Sequence, residues 1–123
     1  MKDQRKPLVY SCSGCSSAAQ MANHIAVKLD RSGEAEMSCI AGVGGNVKAL
    51  LKVAHSKRKI VVIDGCPLAC AKACLSNHDI VADSHIILSD FGIKKKNHED
   101  FDPQEAKIIL NDIILKIKNI EQK

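Results

Sequence analysis

The sequence contains no tryptophan, one tyrosine and two phenylalanines. That scarcity excludes an aromatic core and leaves no platform on which nucleic-acid bases stack. Also missing is any apolar run near the roughly 20 residues that cross a bilayer, and the basic start "MKDQRKPLVY" is not followed by the long apolar segment of an export signal. The chain is therefore expected in the cytoplasm, with no membrane partner. Nor does one sign of charge dominate: 18 Lys and Arg against 14 Asp and Glu give +4. The basic runs "HSKRK" and "IKKKN" read as solvated loop ends, so no nucleic-acid partner is expected.

What remains is aliphatic. Of 123 residues, 46% are apolar, enough for one domain spanning 1–123 that buries a core of Ile, Val, Leu and Ala without disulfide staples. Four apolar runs, "PLVYSC", "EAEMSC", "KIVVIDGC" and "SHIILSD", read as strands. Helical patterns follow them near 17–30, 46–56, 67–77 and 103–121. This alternation predicts an α/β fold: a four-stranded, mostly parallel sheet with helices on both faces, of the Rossmann or flavodoxin-like kind.

Local signals support the helices. Ser17 with Gln20 reads as a capping box ahead of a face of Met21, Ala22, Ile25, Ala26 and Leu29. Asn46 is the expected cap of the second helix, and Pro67 the expected first residue of the third. In "DPQEAKIILNDIILKIKNI", Asp102 is the N-cap, Pro103 the first helical position and Glu105 the box partner. The apolar stripe of that helix, Ala106, Ile109, Leu110, Ile113, Ile117 and Ile120, is widened by Ile108, Ile114 and Leu115. Such width means deep burial or a homodimer contact, with burial the favoured reading. The irregular segment near 90–101 follows the fourth strand and would overhang the strand ends as a lid.

The one residue type in excess is cysteine, with six. Without an export signal, metal or thiol chemistry explains them better than a disulfide framework. Cys12, Cys39 and Cys66 each end a strand-like run, and ligand sites of open parallel sheets gather beyond the carboxyl ends of the strands, where the winding direction reverses. If strands two and three flank strand one, these three thiols converge. Cys15, three residues after Cys12 in "CSGC", and Cys70, four after Cys66 in "CPLAC", extend the group from adjoining turns. Three helix N-termini aimed at this volume would favour thiolate. Cys74, among Ala71, Ala73 and Leu75, reads instead as a buried packing residue.

Alternatives to a shared metal site are a metal-free redox cluster and plain packing. The histidines favour sulfur ligation: His24, His55, His78 and His85 are expected toward the opposite edge of the sheet, and only His98, in the lid, is expected near the thiols. Sulfur ligation points to zinc or an iron–sulfur centre. Asp64 is expected to accept N–H groups of its turn. "AGVGGN", 41–46, lacks the Lys-Ser/Thr of a phosphate loop and reads as a tight strand-to-helix turn.

The blocks "SCSGCSSAAQMAN", "MSCIAGVGGN" and "IDGCPLACAK" resemble the DGC-domain family of small zinc-binding cysteine proteins, named for the triplet at Asp64, Gly65 and Cys66. The resemblance runs from about Leu8 to the end of the third helix. It implies a zinc site of four cysteines, carried over to Cys66, Cys70, Cys12 and Cys39, with Cys15 competing with Cys39 for the fourth position. It implies no biochemical role.

The expected function is therefore a cytoplasmic zinc-binding protein that handles or senses metal, its candidate ligands being Cys12, Cys15, Cys39, Cys66 and Cys70. The alternatives are a thiol–disulfide enzyme using Cys12 and Cys15, or an iron–sulfur protein. Against one enzyme class, the arsenate-reductase and small-phosphatase pattern needs Arg six residues after its nucleophile, where Ala18 stands. No catalytic residue is assigned.

Overall fold

The computed structural model describes residues 5–121. Four parallel strands, β1 (Leu8–Ser11), β2 (Glu36–Met37), β3 (Ile60–Asp64) and β4 (Ser84–Ile87), form one sheet in the order β2-β1-β3-β4. The α/β fold expected from the alternating pattern is the one found. Among the described residues five α-helices connect or follow the strands, α1 (Ser17–Arg31), α2 (Ile40–Gly44), α3 (Lys48–Ala54), α4 (Cys70–Ser76) and α5 (Pro103–Glu121), and a short 3-10 helix, Leu88–Phe91, follows β4.

Side chains alternate across a strand, and the central strands are buried at every position and apolar up to their last residues, Ser11 and Asp64, because both faces are covered. Val9, Val61, Ile63 and Ile86 meet Met21, Ile25 and Leu29 of α1 and Ile113 and Ile117 of α5. On the other face Leu8, Tyr10, Ile60 and Val62 meet Val43 of α2, Ala54 of α3, and Ala71 and Leu75 of α4. Burial claims one stripe of α5, through Ala106, Ile109, Ile113 and Ile117, whereas Ile108 and Leu115 remain exposed.

Three local expectations are corrected. The cap of α1 is Ser16, whose hydroxyl accepts from the Ala19 N–H at 3.1 Å; Ser17 is already helical. Asn46 does not cap α3. "AGVGGN" is largely the helical turn α2, and the chain reverses between α2 and α3 through Asn46 in the left-handed region (φ 63°), a conformation asparagine tolerates better than most residues, so Val47 takes the cap position. Pro67 does not open α4. The segment 66–69 closes as a turn, with the Ala69 N–H on the Cys66 carbonyl at 3.0 Å, and proline's fixed φ suits the second position of that turn as well as a helix start.

The loop from Gly92 to Phe101 is tied down at its centre. Ser17 N–H donates to the Lys96 carbonyl at 2.8 Å, Lys96 N–H to the Ser17 hydroxyl at 3.0 Å, and His98 N–H to the Cys15 carbonyl at 3.1 Å. Phe91, Ile93 and Phe101 anchor its ends in the α1/α5 layer. It is a fixed strap beside the strand ends.

One glycine is dictated by packing. A Cβ on Gly65 would lie 2.7 Å from the backbone carbon of Ala18, 2.8 Å from its oxygen and 2.9 Å from Ala19 N. Backbone cannot move aside as a flexible side chain would. We expect Gly65→Ala to destabilise the fold by about 1–3 kcal/mol, as overpacking does, read as a lower urea midpoint with an unchanged m-value; an unchanged midpoint would show that α1 does not press on this turn.

Candidate functional site

In the order β2-β1-β3-β4 the winding direction reverses between β1 and β3, which is where open parallel sheets hold their ligands. A cleft of about 160 Å³ opens there. Its floor is the pair of chain segments leaving these two strands, Cys12–Ser16 from β1 and Asp64–Cys70 from β3, and Lys95 and Asn97 of the strap close one side. Cys12, Cys15, Cys66 and Cys70 all line it.

Cys39 does not. Strand β2 lies on the far side of β1 from the reversal and is only two residues long, so α2 begins immediately at Ile40 and carries Cys39 away. It stands exposed beside a separate cleft with Ser11, Ser13 and Asn23. The convergence of three strand-end thiols thus reduces to two, Cys12 and Cys66, joined by Cys15 and Cys70 from the turns. Cys74 packs between α4 and α2, where a Cβ on Gly44 would lie 3.1 Å from its sulfur. Burial pushes its thiol up, with Cys70 and Asp64 adding to the shift.

Cys12 sits at the top of the central strand, packed against both core layers. Its Sγ accepts the Gly65 N–H at 3.2 Å. Burial nevertheless pushes the thiol up to about 11, the Gly65 hydrogen bond opposing and the nearby Asp64, Cys70 and Cys66 reinforcing the shift. At neutral pH, Cys12 is therefore a protonated thiol unless something displaces its proton. Cys15 and Cys70 are exposed, and Cys66 is half-buried. The cation at the site is Lys95, whose Nζ lies 3.7 Å from Cys66 Sγ.

Beneath the cleft lies Asp64, fully buried. Its Oδ1 accepts the Ala71 N–H at 2.9 Å and its Oδ2 the Lys72 N–H at 3.2 Å. These are the second and third residues of α4, the amides that a local N-cap side chain normally satisfies. Here the local position is Ala69, left-handed at φ 51° and without a side-chain cap. Asp64 supplies the cap from β3 and so sets the helix to begin at Cys70. The third contact is His85 Nε2, 2.8 Å from Oδ2. Reading His85 as leaning away from the thiol edge was wrong: its backbone is at the register of Val62, but its ring reaches up the strand to Asp64. His98 touches the site only through its backbone bond to Cys15 and does not line the cleft.

Among the described residues, no three His, Cys, Asp or Glu side chains stand close enough together to form a metal-holding group. The chemistry of the donor set is nonetheless one-sided. Four sulfurs share a cleft that no imidazole lines, beside one ammonium and the Gly65 N–H. Such a set suits a thiophilic ion such as zinc.

Fold and site together define a parallel α/β domain with a thiol-lined cleft at its topological reversal. The chain belongs to the DGC domain family, whose profile matches residues 8–113. It is similar to the Anaerobic and virulence modulator AnvM of Pseudomonas aeruginosa, 54% identical over 104 residues that make up 85% of this chain and 79% of that protein. No solved structure matches it.

The raised Cys12 pKa has a direct consequence. In metal-free protein, alkylation of Cys12 by iodoacetamide should climb with pH until about 11 and at pH 7 run about 10⁴-fold below its plateau, because only thiolate reacts. Peptide-resolved mass spectrometry reads this residue by residue. A plateau already reached at pH 8 would mean that burial does not hold the proton on.

Proposed function

We propose that this protein is a zinc-binding regulatory protein in which Cys12, Cys15, Cys66 and Cys70 supply the ligands, and that it handles or senses the metal and does not use it as a structural staple. The observation that carries the reading is the gathering of these four thiols in one cleft at the reversal of the sheet. Zinc binding would displace the thiol protons and supply a centre with a charge of about −2 when four thiolates bind. Lys95 beside Cys66 and the Gly65 N–H at Cys12 lie where they offset that excess.

Two features favour metal in exchange. Cys15 and Cys70 are exposed. The fold also has two aliphatic core layers of its own, unlike small domains that depend on the metal to fold. A regulatory role fits the name of the AnvM relative, a modulator. The thiol–disulfide reading is weaker because Cys12, its expected nucleophile, keeps its proton at neutral pH. An iron–sulfur centre uses the same sulfurs and differs by colour and iron content.

Protein purified anaerobically should be colourless, carry one zinc per chain, and lose binding in a Cys66→Ser, Cys70→Ser double variant. Cys39→Ser and Cys74→Ser should keep it. After chelation the far-ultraviolet circular dichroism should be unchanged, with a cooperative thermal transition. Zinc-free protein with a Cys12–Cys15 disulfide, or a brown iron-containing protein, would contradict the proposal.

A further inference from the structure

The partly buried hydrogen bond from His85 of β4 to Asp64 of β3 bears on the thiol cleft. Strand β4 is one edge of the sheet, and from it the His85 side chain bonds the Asp64 carboxylate. The ring lies outside the thiol cleft, in a separate surface depression with Lys72, Leu75, Ile80 and Val81. It does not line the thiol cleft, and its hydrogen bond to Asp64 is the contact that leads toward it.

We propose that His85 is a positioning residue for the thiol site, acting through Asp64 on the start of α4; this rests on the reading of the cleft as a metal site. A carboxylate only accepts hydrogen bonds, so Nε2 must donate to Oδ2. Asp64 is wholly enclosed, and His85 is the one side chain in the set of three donors it receives. Removing that donor leaves a buried acceptor short of a partner, a penalty that rearrangement or water entry relieves. Rearrangement pulls Asp64 away from the Ala71 and Lys72 amides, and water entering at Oδ2 competes with the Lys72 amide for the same oxygen.

Helix α4 has little with which to resist. It is seven residues long, has no local side-chain cap, and starts after a left-handed alanine. Its first residue is Cys70, and the turn before it carries Cys66. Loosening the helix start frees Cys70 in particular. Cys15, held on the other wall by the strap's bond from His98, stays as it is. His85 thus supports the site as outer partners of metal ligands do, by fixing the segment that carries the sulfurs.

The test uses His85→Ala and His85→Gln, the latter keeping an N–H donor. In metal-free protein, His85→Ala should raise the alkylation rate of Cys70 severalfold with that of Cys15 unchanged, and should speed hydrogen exchange at the Ala71 and Lys72 amides. In cobalt(II) titrations followed by sulfur-to-metal charge-transfer absorption, it should weaken binding by about 10–100-fold, the range seen for lost outer partners. His85→Gln should recover most of each effect. Wild-type Cys70 reactivity, amide exchange and cobalt affinity in His85→Ala would overturn the proposal, as would equal impairment in both variants with only a lowered unfolding temperature. If the wild-type protein takes up no metal, the metal reading falls, while Cys70 reactivity and amide exchange still decide whether His85 positions α4.

Discussion

Asp64 buries its carboxylate completely, and the donors around it tie three elements together. It is the last residue of β3, it caps α4 through Ala71 and Lys72, and it takes a hydrogen bond from His85 on β4. A buried charge is tolerated only when it is well partnered. These contacts hold the far wall of the cleft in place and decide where α4 begins, and hence where Cys70 stands. The same negative group helps keep the proton on Cys12.

The triplet Asp64-Gly65-Cys66 is best understood as three separate constraints in successive residues. Asp64 caps the helix from below. Gly65 lets the backbone of α1 come within 3 Å of where a side chain would begin, which brings the Cys12–Ser16 loop against the β3 turn, and its N–H meets Cys12 Sγ. Cys66 then faces the cleft beside Lys95. Substituting any one of them disturbs a different contact, so the triplet works as a unit although each residue has its own physical reason.

Much of the fold was legible because periodicity survives folding: the apolar runs became parallel strands and the amphipathic stretches became α1 and α5. Cys12, Cys15, Cys66 and Cys70 were legible as a group because strand ends and first turns are recognisable in sequence. Cys39 was misplaced although β2 and β3 do flank β1 as the reading supposed, because the run "EAEMSC" does not reveal that only two residues pair. The start of α4 was missed because its cap is seven residues upstream on another element, beyond the reach of a local capping signal. His85 was missed for a related reason: its ring crosses from one strand to its neighbour's end, and strand spacing alone does not report side-chain reach. Asn46 shows a local conflict, being equally suited to a helix cap and to the left-handed turn it occupies.

Zinc K-edge X-ray absorption of the loaded protein tests most directly whether sulfur binds the metal in this cleft. Four sulfur neighbours at about 2.3 Å, falling to fewer in the Cys66→Ser variant, are predicted. A first shell dominated by nitrogen or oxygen, or one unaltered by Cys66→Ser, would contradict it.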